Sequence, residues 1–413
     1  MSPRLCGSKI EVLNPFTTPD WDSIVAALPG YTLFHSSAWA RVLHDAYGYT
    51  PTYLLLRAPG APPAALPLMD IRSWLTGRRG VSLPFTDEVA PLAPDATTFS
   101  ALLEAARTRG LHSGWKTLEL RGAQSWLAAL PHHQPSTSYW THRLELNSAH
   151  PPPASGLQPP PSDLRPLASG LRPPASVLRP PPSALPPPAS GLRPPASGLR
   201  PPASDLPSNN PILDRFSPSH RRAIRKAESS GLEVEFATSL EALRHFYALL
   251  CLTRRRHGAP PQPWPFFAAL HRHLLASARG VIVLARHQGR PIAGAVYLHS
   301  GPLVHYKYGA SDESYQQLRA NNLVMSRAIQ WHAERGFASL DFGRTSLTND
   351  GLRRFKLGWG TQESRLDYTK LDLATGTFLA APDRTSGWHT RVFQRLPLPL
   401  SRLAGRLLYP HLA

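Results

Sequence analysis

The densest set of groups able to do chemistry lies between Asp341 and Gly360, in the run DFGRTSLTNDGLRRFKLGWG. Arg344, Thr345, Ser346, Asn349, Arg353, Arg354 and Lys356 supply donors and positive charge, and Asp341 supplies a carboxylate. Donors at this density suit an anionic ligand or the oxyanion formed when an acyl carbon is attacked. Asp341, at a strand end beside Gly343, reads as a general base, as a helix cap or as an ion-pair partner of Arg344. Gly343, Gly351, Gly358 and Gly360 mark sharp turns or close approaches. The same punctuation also describes a solvated basic turn.

Further candidates lie upstream. Lys307 and Tyr308, in HYKYGASD, follow Asp341 and Lys356 in promise, while His305 reads as a satisfied strand histidine. Arg254, Arg255, Arg256 and His257 close a helix before the proline-rich GAPPQPWP. No Ser-His-Asp order and no metal-ligand spacing is present. The expectation is an enzyme without a tightly bound cofactor or metal.

These groups need a frame. Val281 to Arg286, Ile292 to His299 and Leu303 to Tyr308 read as an antiparallel meander at a sheet centre. A helix from Ala320 to Gly336, with Val324, Met325, Ala328, Ile329 and Trp331 inward, leads to a strand over Ala338 to Phe342 and then a short basic helix. Ser217 caps a helix that begins at Pro218 and carries Arg221, Arg222, Arg225 and Lys226. Glu241 to Arg255 is a longer helix.

In the N-terminal part, helices are expected over Asp20 to Leu28, Ala38 to Tyr47 and Phe99 to Arg109, the last ended by Gly110. Tyr53 to Arg57 and Ala64 to Met69 form a hairpin. Val81 to Phe85, Leu118 to Leu120 and His142 to Leu146 are further strands. Phe34, Trp39 and Trp74 read as core. The pattern is α+β with mixed sheets.

Between the two parts, residues 152–207 divide into eight heptads such as PPASGLR, with leucine sixth in each from Leu157 to Leu206. Proline in every heptad excludes a coiled coil and favours polyproline-like or disordered chain. The expected organisation is a domain over 1–150, the repeat over 151–210, a second domain over 211–375 and a basic amphipathic tail over 376–413.

The 413 residues suffice for two or three cores. Cys6 and Cys251 form no disulfide framework, which points to a reducing compartment. No run reaches the roughly 18 apolar residues of a membrane span or resembles a signal peptide, so a cytoplasmic location is expected. Residues 208–413 hold 28 Lys/Arg against 14 Asp/Glu. That field attracts polyanionic partners: tRNA, a nucleotide-sugar or a lipid-linked saccharide. In the tail, Leu400, Leu403, Leu407 and Leu408 share a helical face beside Arg402 and Arg406. Such a face lies on an anionic membrane at its inner leaflet or packs on the domain.

DFGRTS followed by GLRRFKLGWG resembles the C-terminal signature of FemAB-like proteins, in the subgroup associated with PEP-CTERM and exopolysaccharide gene clusters. SPSHRRAIRKAESSGLEV, TRRRHG, HYKYGASD and FHSSAWARVLHDAYGYTPTYLL support it in order and spacing. The resemblance spans nearly everything outside residues 150–210. It implies two tandem GNAT-like domains, with the repeat inserted between them, and an acyl or aminoacyl transferase acting on an envelope or exopolysaccharide-related acceptor. It also implies that Lys356, in the Phe355-Lys356 motif, contacts substrate phosphate or oxyanion, and that Arg255 and Arg256 border the substrate-side loop. The strand-to-helix junction YGASDESYQQLRANN has no glycine between Ala310 and Asn322, which disfavours acyl-CoA there and leaves aminoacyl-tRNA as the matching donor. A non-catalytic nucleic-acid-binding module and a peripheral scaffold are the competing readings. Lys356 itself is expected on a surface turn, with little burial.

Overall fold

The computed structural model describes residues 8–128, 133–146, 211–380 and 388–412. The heptad repeat lies outside the described residues. Fourteen strands and twelve α-helices are found among those described. The strands are β1 Lys9–Leu13, β2 Thr50–Pro51, β3 Tyr53–Arg57, β4 Ala64–Leu66, β5 Met69–Ser73, β6 Gly77–Val81, β7 Thr117–Arg121, β8 Thr137–Glu145, β9 Glu233–Ala237, β10 Gly280–His287, β11 Arg290–Ser300, β12 Leu303–Ser311, β13 Ser339–Ser346 and β14 Gln362–Asp372. The helices are α1 Trp21–Ala26, α2 Ser37–Tyr47, α3 Ala96–His112, α4 Gln124–Leu127, α5 Pro211–Asp214, α6 Pro218–Ser229, α7 Leu240–Arg256, α8 Trp264–His273, α9 Ala320–Glu334, α10 Asp350–Leu357, α11 Trp388–Arg395 and α12 Leu398–Leu408.

Two α+β units stand in tandem. Each contains a strand, a helix and a second strand parallel to the first: β6–α3–β7 and β12–α9–β13. Their sheets are continuous, in the order β2-β5-β6-β7-β14-β8-β13-β12-β11-β10-β9. The join is an exchange of last strands. β14 of the second unit pairs with β7, and β8 of the first pairs with β13. Each unit thus satisfies its edge with the other's strand, which leaves no open edge at the junction. The meander β10-β11-β12 runs toward one end of this sheet rather than its middle, because the exchange extends the sheet on the other side.

Local chemistry explains most elements. The Ser217 hydroxyl accepts from His220 N and Pro218 occupies the first turn of α6. Every residue from Gly280 to Ala285 is buried, consistent with a strand covered on both faces. Further departures from expectation concern α3, β6 and Trp74. α3 continues through Gly110 to His112, because that glycine admits Trp115 and Leu373 against the helix rather than ending it. β6 stops at Val81, after which Leu83 and Phe85 adopt left-handed backbone angles. Trp74, expected in the core, is 84% exposed at the tip of the β5–β6 hairpin.

Candidate active site

β12 and β13 pair only over Leu303–His305 against Ser339–Asp341. Beyond that point β13 pairs with β8 through an irregularity between Asp341 and Arg344, where Gly343 has φ +70°. On its other side, β12 carries a bulge. Tyr306 faces Tyr297 and Tyr308 faces Val296, so Lys307 is the extra residue. The bulge re-aims the chain. Tyr306 packs with Tyr297 and Phe342, whereas Lys307 and Tyr308 lean on the opposite core beside Phe34, Trp39 and Phe267.

A cluster of charges fills this region. Asp341 Oδ1 accepts from Gly343 N at 2.7 Å, and its Oδ2 lies 3.3 Å from His305 Nδ1. Burial pushes the Asp341 carboxyl up, but His305 and the Gly343 amide outweigh it and the net shift is downward. His305 Nε2 has no protein partner among the described residues. Lys307 Nζ donates to Phe85 O at 2.5 Å and sits over the Phe34, Trp39 and Tyr308 rings; burial lowers its pKa. Tyr308 is pushed well above its ordinary value by burial and then by Tyr409 and Asp87, so it stays a hydroxyl donor at neutral pH.

Lys356 corrects the surface-turn expectation. It is 4% exposed, and Nζ donates to Gly343 O at 2.7 Å and Arg344 O at 3.0 Å. Burial drags its pKa to about 8, against the favourable charges of Asp87 and Asp341. The ammonium fastens α10 to the irregularity in β13.

Two carboxylates not singled out from the sequence complete the cluster. Asp87 pairs with Arg344 at 3.5 Å, and a Cβ on Gly343 would lie 2.5 Å from Asp87 Oδ2. Glu88 is half-buried; burial, then the negative charges of Asp341 and Asp87, push its carboxyl up to about 7. Tyr368, on the exchanged strand β14, donates to Asp87 O at 2.6 Å, and Arg344 lies over Tyr139 and Tyr368. The strand exchange therefore seats residues of the first unit against the second. The signal was present in PFTDEV: two adjacent carboxylates following an apolar strand.

The remaining candidates lie elsewhere. Asn349 caps α10 by accepting from Leu352 N at 3.0 Å. Arg353 forms a two-bond fork with Glu363 at 2.7 and 2.8 Å and covers the Trp140 ring. Ser346 bonds Thr348 on the turn. Thr345 is buried with its hydroxyl unpartnered among the described residues. A cavity of about 430 Å³ lies on the Tyr306 face of β12, lined by Arg256, His257, Gly309, Arg319, Asn321 and Phe355 among others. Arg255 closes α7 beside it without lining it. At its floor the junction forms a 3₁₀ turn over Glu313–Leu318, and Arg319 is left-handed at φ +59° as the N-cap of α9. Lys307, Tyr308, Asp341, Arg344 and Lys356 are thus gathered with Asp87 and Glu88, and Arg256 and Phe355 belong to the cavity across β12. No group of three or more metal-ligating side chains occurs among the described residues.

Residues 215–363 match the family described as acetyltransferase (GNAT) domain, so the C-terminal half carries a GNAT domain. Over 80 residues the chain is 34% identical to a lipid II:glycine glycyltransferase of Staphylococcus saprophyticus, covering 18% of this chain and 19% of that protein. Over 152 residues it is 24% identical to a UDP-N-acetylmuramoylpentapeptide-lysine N(6)-alanyltransferase of Weissella viridescens, covering 36% of this chain and 45% of that protein. The chain spans less than half the length of these curated relatives. The crystal structure of FemX shares its fold, with TM-score 0.58 at 13% identity over 87% of this chain and 96% of that one. These matches support the FemAB-like resemblance at the level of a GNAT acyltransferase fold.

Proposed function

We propose that this chain is a FemAB-type acyltransferase that moves an aminoacyl or acyl group onto an amine or hydroxyl of a cell-envelope or exopolysaccharide-related acceptor. The observation that carries the reading is Glu88: a carboxyl pushed up to about 7 by burial and by Asp341 and Asp87, against the opposing charge of Arg143, near where the pairing of β12 and β13 stops at Asp341. A base titrating near working pH is what an acceptor amine or hydroxyl needs. Glu88 takes the acceptor proton as the nucleophile forms its bond to the acyl carbon. The carbonyl electron pair moves to oxygen, opposite the charges of Lys307, Arg344 and Lys356. Collapse of the tetrahedral adduct expels the donor's alcohol or thiol, which regains a proton. Asp341 holds His305 and the Gly343 amide, which suits positioning better than proton abstraction.

Aminoacyl-tRNA fits as donor, because the α9 junction is a glycine-free 3₁₀ turn and the C-terminal half is strongly basic. The names of the two curated relatives, a lipid II:glycine glycyltransferase and a UDP-N-acetylmuramoylpentapeptide-lysine N(6)-alanyltransferase, agree with aminoacyl transfer to an envelope acceptor. Neither the nucleic-acid-binding module nor the scaffold accounts for the Glu88 environment. The test offers labelled aminoacyl-tRNA and labelled acetyl-CoA, separately, with amino-sugar and lipid-linked peptide acceptors. Transfer from tRNA that is lost in Glu88→Gln supports the reading. Transfer from acetyl-CoA alone reassigns the donor, and transfer unaffected by Glu88→Gln removes this base.

A further inference from the structure

The C-terminal helix is packed inside out. In α12, Ser401 and Gly405 are buried, and a Cβ at Gly405 would collide with the Pro261 carbonyl. Leu400, Leu403 and Leu407 face outward and are 51%, 52% and 61% exposed. Leu408, expected on the same stripe, turns toward the domain and is half-buried. An amphipathic helix on a core ordinarily shows the reverse arrangement. This helix is held by its small and polar side and presents its leucines to the surroundings.

The leucine stripe has a neighbour from the other end of the fold. The Trp74 ring lies 5.3 Å from the His411 ring, and Arg79 donates to His411 O at 2.9 Å. The tip of the β5–β6 hairpin, with Trp74 and Leu75 at 84% and 51% exposure, therefore meets the end of α12 beside Leu412, which is 55% exposed. Elements more than 300 residues apart meet at the Trp74–His411 contact, and exposed large apolar side chains lie on both. Gathered exposed apolar side chains of this kind mark an interaction site where scattered single ones do not.

Charge selects the occupant. From Arg384 to Ala413 the chain has five arginines and no carboxylate. Arg391, Arg395, Arg402 and Arg406 are exposed, as is Arg72 on the hairpin. Arg402 is steadied by Cys251 Sγ at 3.4 Å and by the Tyr247 ring. Asp70, the acidic residue within the hairpin, is taken up by Arg78, and the adjacent Glu119 by Arg121. We propose that Trp74, Leu75, Leu400, Leu403, Leu407 and Leu412 form one docking surface for an anionic lipid bilayer, with the arginines on lipid headgroups. Leucines enter the acyl boundary, the indole takes the headgroup level, and arginines at the rim supply the electrostatic attraction. The surface stands independently of acyl transfer.

The experiment is co-sedimentation of the full chain with vesicles of phosphatidylcholine alone and of phosphatidylcholine mixed with phosphatidylglycerol. Binding is expected to be about tenfold or more tighter to the anionic vesicles and to weaken with salt. Leu403→Glu/Leu407→Glu is expected to abolish it, and Trp74→Ala to weaken it about tenfold. All three side chains are exposed, so circular dichroism and the thermal midpoint are expected to match the wild type. No binding to anionic vesicles, or binding untouched by the leucine substitutions, overturns the proposal. Binding untouched by Trp74→Ala overturns the joint surface. A dimer in sedimentation velocity that the leucine substitutions dissociate, without vesicle binding, assigns the surface to a second copy and likewise overturns it.

Discussion

Lys356 reaches back thirteen residues to hold the carbonyl oxygen of Gly343, Nζ to O 2.7 Å, across the base of the β13–α10 turn. A second bond from the same ammonium to Arg344 O makes the lysine a clamp on the irregular backbone that carries Asp341 and Arg344.

Truncating this clamp is expected to cost stability as well as turnover. Lys356→Ala leaves two buried carbonyls without a charged donor, a loss of about 3 kcal/mol or more. Denaturant unfolding of Lys356→Ala is expected to show that drop. An unchanged midpoint would mean that water replaces the ammonium. Turnover is expected to fall about 100-fold, since the oxyanion-side charge and the backbone position go together.

Glu88→Gln is expected to lower kcat/KM about 100-fold or more and to flatten the limb of its pH profile near 7. A limb that persists in the variant assigns that ionisation to another group.

The same residue leaves a signature in stability. Its folded pKa, about 7, lies above its ordinary 4.5, so the folded state binds the proton more tightly. That contribution is complete below about pH 4.5 and is lost as pH rises through 7. Glu88→Gln is therefore expected to gain on the wild type as pH rises across this window. Unfolding midpoints that run parallel in the two proteins would contradict the raised pKa.

Gly343→Ala places a Cβ at φ +70° and 2.5 Å from Asp87 Oδ2. The left-handed backbone alone costs about 1–2 kcal/mol. Unfolding midpoint and activity are both expected to fall. Gly351→Ala, with only Asn349 Oδ1 within 4 Å and no positive φ, is the matched control and is expected to leave both nearly unchanged.

Deleting Pro152 to Pro207 joins the chain between β8, which ends at Glu145, and α5, which begins at Pro211. Closure cost varies only with the logarithm of loop length. Thermal midpoint and activity of the deletion protein are expected to stay near wild type. A large drop would show that the repeat packs on the units.

Much of the frame was legible because its causes are local. Ser217 and Pro218 announce α6 with their own hydroxyl and ring. The Tyr53–Arg57 and Ala64–Leu66 hairpin, the β10-β11-β12 meander and the stripe of α9 follow from periodicity that neighbouring residues set. The gathering of Lys307, Tyr308, Asp341, Arg344 and Lys356 around one region was approached through the same strings.

Other features answer to packing partners far along the chain. Gly110 looks like a helix stop until Trp115 and Leu373 arrive to use the space it leaves. Lys356 looks like a surface charge until the carbonyls of Gly343 and Arg344 close over it. Asp87 and Glu88 are two ordinary carboxylates in their own segment. The exchanged strand β14 brings Tyr368 to Asp87, and β13 brings Asp341 near enough to raise Glu88. The stripe of Leu400, Leu403 and Leu407 is plain in the sequence, but periodicity defines a face and not its direction. Pro261 decided that direction by fitting against Gly405. Burial and ionisation depend on which distant surfaces exclude water from a group, and only the assembled fold sets that.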